Sequence, residues 1–265
     1  MSFLNRIRKA KIAPGRYSYR GVDKFAGMSL QLRVEQDRQG VMVINGNAVL
    51  HLNHSATAFA YFFMQGLSRE QVLKKIQRMY RVKADKAKED YEKLVYSIST
   101  LAQTHKVDPI SFIEIEKEEP FSHQYSAPIR MDLALTFKCQ NDCVYCYAGG
   151  PHETRELTTV QWQTVIDKLS DIGVFIFTFT GGEPTQREDL PALIQYAQKK
   201  GIVTGLITNG RKLKDASFVK TLEESGLDFV QVTLESHKPQ IHDSITGSKG
   251  SWKETVAGIR NATQS

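Results

Sequence analysis

This 265-residue chain is short of several things, and each shortage excludes something. No apolar run approaches the ~20 residues a membrane-crossing helix needs. The longest candidates, such as Val174 to Phe179, have the length of a strand. The N-terminus lacks the continuous apolar core of a secretory signal. Cysteine is nearly absent: the three present, Cys139, Cys143 and Cys146, fall within eight residues. An odd, tightly clustered set without an export signal excludes a disulfide framework. It reads instead as a group of metal ligands in a reducing compartment, which points to a cytoplasmic protein without membrane association.

Acidic residues are missing from the first twenty positions, which hold Arg6, Arg8, Lys9, Lys11, Arg16 and Arg20. Those six charges equal the whole net charge of +6, so the remainder is neutral overall. A nucleic-acid reading wants a basic face on the fold rather than one short arm, so nucleic acid is not an expected partner. The arm reads as solvated or as a docking segment; a mitochondrial transit segment is the alternative. With 41% hydrophobic and 24% charged residues, the composition is that of a globular protein and excludes a disordered one.

What is present divides the chain in two. Residues 1–26 read as the basic arm, and 27–104 as a small α+β domain. In the latter, strands are expected at Met28 to Val34, Gly40 to Ile44 and Ala48 to Leu52. Asn45-Gly46 between the last two is a hairpin signal, because both turn positions need positive φ. Three helices should follow. Ser55 to Gln65 ends at Gly66, a second helix opens with the capping box Ser68-Arg69-Glu70-Gln71, and a third runs from Ala84 to Ala102. Residues 105–128 contain Pro109, Pro120, Pro128 and the acidic stretch Glu114 to Glu119, and read as a linker with one short strand at Ile110 to Ile115.

From 129 to 265 strand and helix alternate. Strands are expected at Arg130 to Thr136, Val174 to Thr180, Ile202 to Thr208 and Phe229 to Leu234. Helices are expected at Thr159 to Ile172, Leu190 to Lys200, Ala216 to Ser225 and Ser251 to Ala262, the last opened by a capping box at Ser251 to Glu254. Four βα units with near-continuous apolar strands imply a parallel sheet covered by helices.

In such folds, chemistry gathers at the carboxyl ends of the strands. The first strand runs into Cys139-x3-Cys143-x2-Cys146, and the second ends in Gly181-Gly182-Glu183-Pro184. The third ends in Thr208-Asn209-Gly210 and the fourth in Thr233-Leu234-Glu235-Ser236. Three thiolates suit a zinc ion that recruits a fourth ligand such as His152, or a cubane iron–sulfur cluster with one iron left open. Asn209-Gly210 reads as a turn before it reads as a site. The seven histidines show no ligand spacing and read as surface or core residues.

Cysteines at this x3 and x2 spacing, with aromatic Tyr145 before the last, resemble the signature of the radical S-adenosylmethionine (SAM) enzymes. The Gly-Gly-Glu after the second strand and the polar residues after the fourth extend that resemblance over residues 129–265. It implies a partial (β/α) radical SAM barrel, four βα units of an expected six, so either a fragment of a longer protein, which is the expected case, or a degenerate form. It implies that Cys139, Cys143 and Cys146 hold a [4Fe-4S] cluster whose open iron takes the amine and carboxylate of SAM. Gly181 and Gly182 would let the backbone approach the cofactor, and Glu183 would meet the methionyl amine. Thr233, Glu235 and Ser236 would bond ribose hydroxyls, with Tyr145 near adenine. A one-electron donor such as flavodoxin or ferredoxin is implied as a partner.

The hairpin and three helices of residues 27–104 resemble the winged-helix-like peptide-recognition domains of the PqqD type. The resemblance implies capture of a precursor peptide's leader as an added strand, expected on Ala48 to Leu52 facing the helix Ala84 to Ala102. The expected activity is radical modification of a ribosomally made peptide. The alternatives are a radical enzyme acting on a small molecule or cofactor precursor, and a zinc- or cluster-bearing winged-helix regulator that binds DNA.

Overall fold

The computed structural model describes residues 12–21, 25, 27–103, 125–147 and 155–264. The expectations for residues 1–11, for the strand Ile110 to Ile115 and for His152 lie outside the described residues. The chain forms two compact units, Met1–Ala127 and Pro128–Ser265.

In the first unit, β1 (Gly15–Arg20), β2 (Ser29–Val34), β3 (Gly40–Ile44) and β4 (Ala48–Leu52) form an antiparallel sheet in that order. The helices α1 (His54–Met64), α2 (Arg69–Met79) and α3 (Ala84–Gln103) follow it. Leu30 and Leu32 of β2 and Met42 and Ile44 of β3 share a core with Phe59, Phe62, Val72, Ile76 and Ile98 of the helices. The hairpin turn forms at Asn45-Gly46, with φ of 50° and 67°. Asn45 uses both ends of its amide there. Its Oδ1 accepts from the Ser29 N–H at 2.7 Å, and its Nδ2 donates to the Ala102 carbonyl at 2.9 Å, which ties the turn to the end of α3. The capping box of α2 is present between Ser68 and Gln71.

Strand β1 lies within the segment read from sequence as a basic arm. Arg16 and Arg20 alternate with Tyr17 and Tyr19, and these two tyrosines pack on the core. Tyr17 meets the Tyr61 ring edge-on at 4.9 Å. Charge dominated the reading of this segment, and the period-two pattern beneath it, Arg16 to Arg20, is only five residues long.

In the second unit, β5 (Arg130–Thr136), β6 (Ile176–Gly181), β7 (Val203–Thr208) and β8 (Phe229–Val232) form a parallel sheet in sequence order. The connecting helices are α4 (Thr159–Asp171), α5 (Leu190–Lys199) and α6 (Ala216–Glu224). Phe177 and Phe179 on one face of β6 and Ile176 and Thr178 on the other are all buried, as a strand covered on both faces requires. Thr233, Glu235 and Ser236 lie beyond the end of β8 rather than within it.

A seven-residue helix α7 (Pro239–Ile245) precedes α8 (Ser251–Ala262) and was not expected. Its length carries less than two full apolar repeats, too few to register as periodicity. The expected capping box at Ser251 also gives way: Gly250 is the cap residue at φ 82°, and Ser251 is the first residue of α8. Asp243 of α7 takes the capping role, accepting from Gly250 N–H at 2.6 Å, Trp252 N–H at 2.8 Å and the Ser251 hydroxyl at 3.0 Å. A carboxylate offers two acceptor oxygens where a serine offers one, and these bonds hold the Asp243 carboxyl below its ordinary range. Among the described residues, no helix is long and apolar enough to cross a membrane.

Candidate functional site

At the carboxyl ends of β5 to β8 lies a cavity of about 230 Å³. Cys139, Cys143, Cys146, Tyr145, Gly181, Gly182, Thr233 and Glu235 all line it. The structure thus brings together eight of the ten residues singled out from sequence. Glu183 and Ser236 are not among its walls.

The cysteines sit on an irregular segment after β5 that is held by backbone contacts distant in sequence. The N–H groups of Asp142 and Val144 donate to the carbonyls of Thr246 and Ile245, at 2.9 and 3.0 Å. Gly247, at φ 61°, passes so close that a Cβ there would lie 2.4 Å from the Asp142 carbonyl oxygen. The Arg211 guanidinium donates to the Gln140 carbonyl at 3.1 Å and to Asn141 Oδ1 at 2.6 Å, while pairing with Glu254 at 2.6 Å. The thiol segment is therefore pinned by the turn after β7 and by the α7–α8 connection.

Gly181 and Gly182 also play a part that their motif did not suggest. A Cβ on Gly182 would lie 2.6 Å from the carbonyl oxygens of both Phe137 and Lys138, and one on Gly181 2.2 Å from that of Thr136. The Gly182 and Glu183 N–H groups donate to the Thr136 and Lys138 carbonyls at 2.7 and 2.8 Å. Absent side chains let two backbones touch where the cysteine segment begins.

Glu183 is fully buried, and its carboxylate is already engaged. Oε1 accepts from Thr185 N–H at 3.0 Å, the Thr185 hydroxyl at 2.6 Å and the Thr208 hydroxyl at 2.7 Å; Oε2 accepts from Asn209 N–H at 2.8 Å. The carboxylate expected to meet a cofactor amine instead ties the end of β6 to the end of β7. Ser236 likewise turns to local work, accepting from the Lys238 N–H at 3.0 Å.

Tyr145 and Glu235, assigned from sequence to different parts of a cofactor, touch each other: the phenol donates to the Glu235 carboxylate. Burial first, and this bond second, push the Tyr145 hydroxyl pKa up. Asn209, read from sequence as a turn before a site, and His242, read as a surface or core residue, also line the cavity. Asn209 Oδ1 accepts from Arg211 N–H at 3.0 Å, a donor that fixes the amide's orientation and leaves Nδ2 facing Cys139 Sγ at 3.9 Å. His242 is 1% exposed on the short helix α7, which no sequence period announced.

The donor set bears on what the cavity holds. Burial pushes the Cys139 and Cys143 thiols up, and their electrostatic neighbours add to the shift: Glu183 and Cys146 for the first, the other two thiols, Glu235 and Asp142 for the second. Thiols crowded among acids need a cation among them before they become ligands. A single tetrahedral zinc would draw its sulfurs to about 3.8 Å apart. Among the described residues, no three Cys, His, Asp or Glu side chains gather to hold one metal ion. Three thiols lining one cavity are the donor set that an iron–sulfur cluster with one open iron would take.

Residues 133–265 match the Radical SAM superfamily profile, and the chain belongs to that superfamily. Its members use a [4Fe-4S] cluster and SAM, and the zinc reading is set aside. The chain is 36% identical over 132 residues to the Fe-coproporphyrin III synthase of Methanosarcina barkeri, covering 49% of this chain and 33% of that protein. It is 31% identical over 146 residues to the PqqA peptide cyclase of Bradyrhizobium diazoefficiens, covering 54% and 38%. Streptococcus suis SuiB, solved bound to SAM and bound to its precursor peptide SuiA, shares the fold with a TM-score of 0.54 in both structures. Those alignments cover 88% and 89% of this chain and 52% of SuiB, at 17% and 16% identity. The matched part thus spans 33–38% of these curated relatives and about half of SuiB.

Proposed function

We propose that this chain serves a radical SAM enzyme that modifies a ribosomally made precursor peptide. The observation that carries the radical reading is the single cavity shared by three thiols, the Gly181-Gly182 backbone, Thr233 and Glu235. When bound, the reduced cluster would supply the single electron that cleaves the sulfonium of SAM, and with it the means to remove a substrate hydrogen atom. Cys139, Cys143 and Cys146, which line the cavity together, would hold the cluster. Asn209 and the Asn141 N–H, 3.4 Å from Cys139 Sγ, soften the charge on that sulfur. Thr233 and Glu235, the latter held by the Tyr145 phenol, line the same cavity and would bond the cofactor's hydroxyls. The electron comes from a small carrier of the flavodoxin or ferredoxin kind, and the exposed thiols call for a reducing, cytoplasmic setting.

Anaerobic reconstitution tests this reading. About four irons and four sulfides per chain are expected, with an electron paramagnetic resonance signal of the reduced cluster that changes when SAM is added. One tightly bound zinc and no cluster would overturn it.

The peptide part of the reading rests on the first unit and on the likeness to PqqA peptide cyclases. Among the described residues β4 is a sheet edge with no strand beyond it. A groove of about 400 Å³ runs between it, α1 and α3, floored by Leu50, Ala56, Phe59 and Leu94 and rimmed by Asp90 and Lys93. An extended peptide there gains main-chain bonds from β4 and packs apolar side chains on α3. Leu94→Arg places a charge in that floor. It is expected to weaken binding of a synthetic precursor peptide from a neighbouring reading frame at least tenfold by fluorescence anisotropy, with iron content unchanged. The likeness to Fe-coproporphyrin III synthase favours a second reading, a small-molecule substrate. Under it, Leu94→Arg leaves turnover intact.

A further inference from the structure

His242 is a buried side chain on the wall of the cavity with one ring nitrogen accounted for and one not. Its Nδ1 lies 3.2 Å from the Glu235 N–H, a backbone donor, so Nδ1 accepts and carries no proton. The ring is therefore the tautomer with its proton on Nε2. That assignment follows from the partner and does not depend on any observed hydrogen. Nε2 is buried and has no protein partner. The nearby hydroxyls do not answer it: Thr246 Oγ1 is engaged with the His242 and Asp243 carbonyls and with Ser251 Oγ.

A buried N–H donor without an acceptor is a rare feature in a folded protein, and one that borders a ligand cavity asks for the ligand's acceptor. The groups beside it narrow the choice. The Glu235 carboxylate lines the same cavity at the same strand end. An anionic acceptor on the ligand is disfavoured next to that carboxylate, and an amine would meet Glu235 but not the imidazole N–H. A hydroxyl satisfies both, because it donates to a carboxylate and accepts from an N–H. A vicinal diol does so with one hydroxyl to spare.

We propose that His242 binds the ribose of SAM, donating its Nε2 proton to a ribose hydroxyl oxygen beside Glu235. The inference rests on the radical SAM reading of the cavity and adds to it a residue from a helix outside the four strand ends. The same imidazole anchors the chain after β8 through the Glu235 amide, so cofactor binding and the placement of Glu235 are coupled in one side chain.

Two substitutions separate the ring's two roles. His242→Asn puts an amide oxygen in the position of Nδ1 and nothing in the position of Nε2. His242→Gln reaches the Nε2 position with an N–H donor. Equilibrium dialysis of SAM against cluster-loaded protein is expected to show about tenfold weaker binding to His242→Asn and less than threefold weakening for His242→Gln, with iron content unchanged in both. On the unsubstituted protein, 2′-deoxy or 3′-deoxy SAM is expected to bind about tenfold more weakly than SAM. That measurement stands even if a variant fails to fold. Equal binding of SAM to His242→Asn and the unsubstituted protein, or equal binding of SAM and both deoxy analogues, would overturn the inference. Failure of the unsubstituted cluster-loaded protein to bind SAM at all would overturn the radical SAM reading of the cavity, and this inference with it.

Discussion

Glu183→Ala is expected to destabilise the second unit by about 3–5 kcal/mol and to abolish cluster assembly. The carboxylate is fully buried and accepts from two backbone N–H groups and two threonine hydroxyls. Alanine leaves the Thr185 and Asn209 N–H groups without an acceptor, at about 1–3 kcal/mol each, and opens a cavity as well. The hydroxyls can rotate to other acceptors; the backbone donors cannot. Glu183→Gln is the sharper control. Its amide nitrogen must face either the Thr185 and Thr208 donors or the Asn209 N–H, so a donor meets a donor in either orientation. A fall in the urea midpoint for both variants, with iron content well below half of the unsubstituted protein, is the expected result. If either variant assembled a full cluster at unchanged midpoint, Glu183 would not be the tie between β6 and β7.

Gly182→Ala is expected to cost about 3 kcal/mol and to lower iron incorporation at least fivefold. The added methyl would sit 2.6 Å from two carbonyl oxygens of the segment leading to Cys139. No rotamer relieves this contact, because both partners are backbone. The strands must separate, which breaks the 2.7 Å bond from Gly182 N–H to Thr136 and the 2.8 Å bond from Glu183 N–H to Lys138. Gly181→Ala should be worse, since its φ of 140° also lies where side chains are strained. Iron and sulfide analysis after reconstitution, beside circular dichroism melting, separates misplacement of Cys139 from loss of the fold. A Gly182→Ala protein with full iron content would mean that this backbone contact does not position the cysteines.

How much of this was open to a reader of the sequence depends on how local each feature is. The hairpin at Asn45-Gly46, the caps at Ser68 and Gly66, and three of the strands, Gly40–Ile44, Ala48–Leu52 and Arg130–Thr136, follow from neighbours a few residues apart. The three cysteines announced themselves because their spacing is short and their chemistry narrow. Strand β1 did not, because two inward tyrosines between arginines make a faint period under a strong charge signal. Helix α7, and with it His242, fell below the length at which periodicity can be read.

The sequence by itself determined the parallel order of β and α, the cavity's thiols and the family to which the chain belongs. Each is carried by a short motif or by repeated apolar strands, whose meaning does not depend on what lies opposite. Only the tertiary structure decided the work of Glu183, Gly181, Gly182, Asp243 and His242. Their motif positions suggested a ligand for Glu183 and the two glycines, and His242 read only as a surface or core residue. A carboxylate bonds to whichever donors the fold brings within about 3 Å, and a missing Cβ serves whichever backbone arrives. Those partners lie 25 or more residues away for Glu183 across β7, and more than 40 for the glycines across β5. Pairings at that range are set by strand register, which no local pattern encodes.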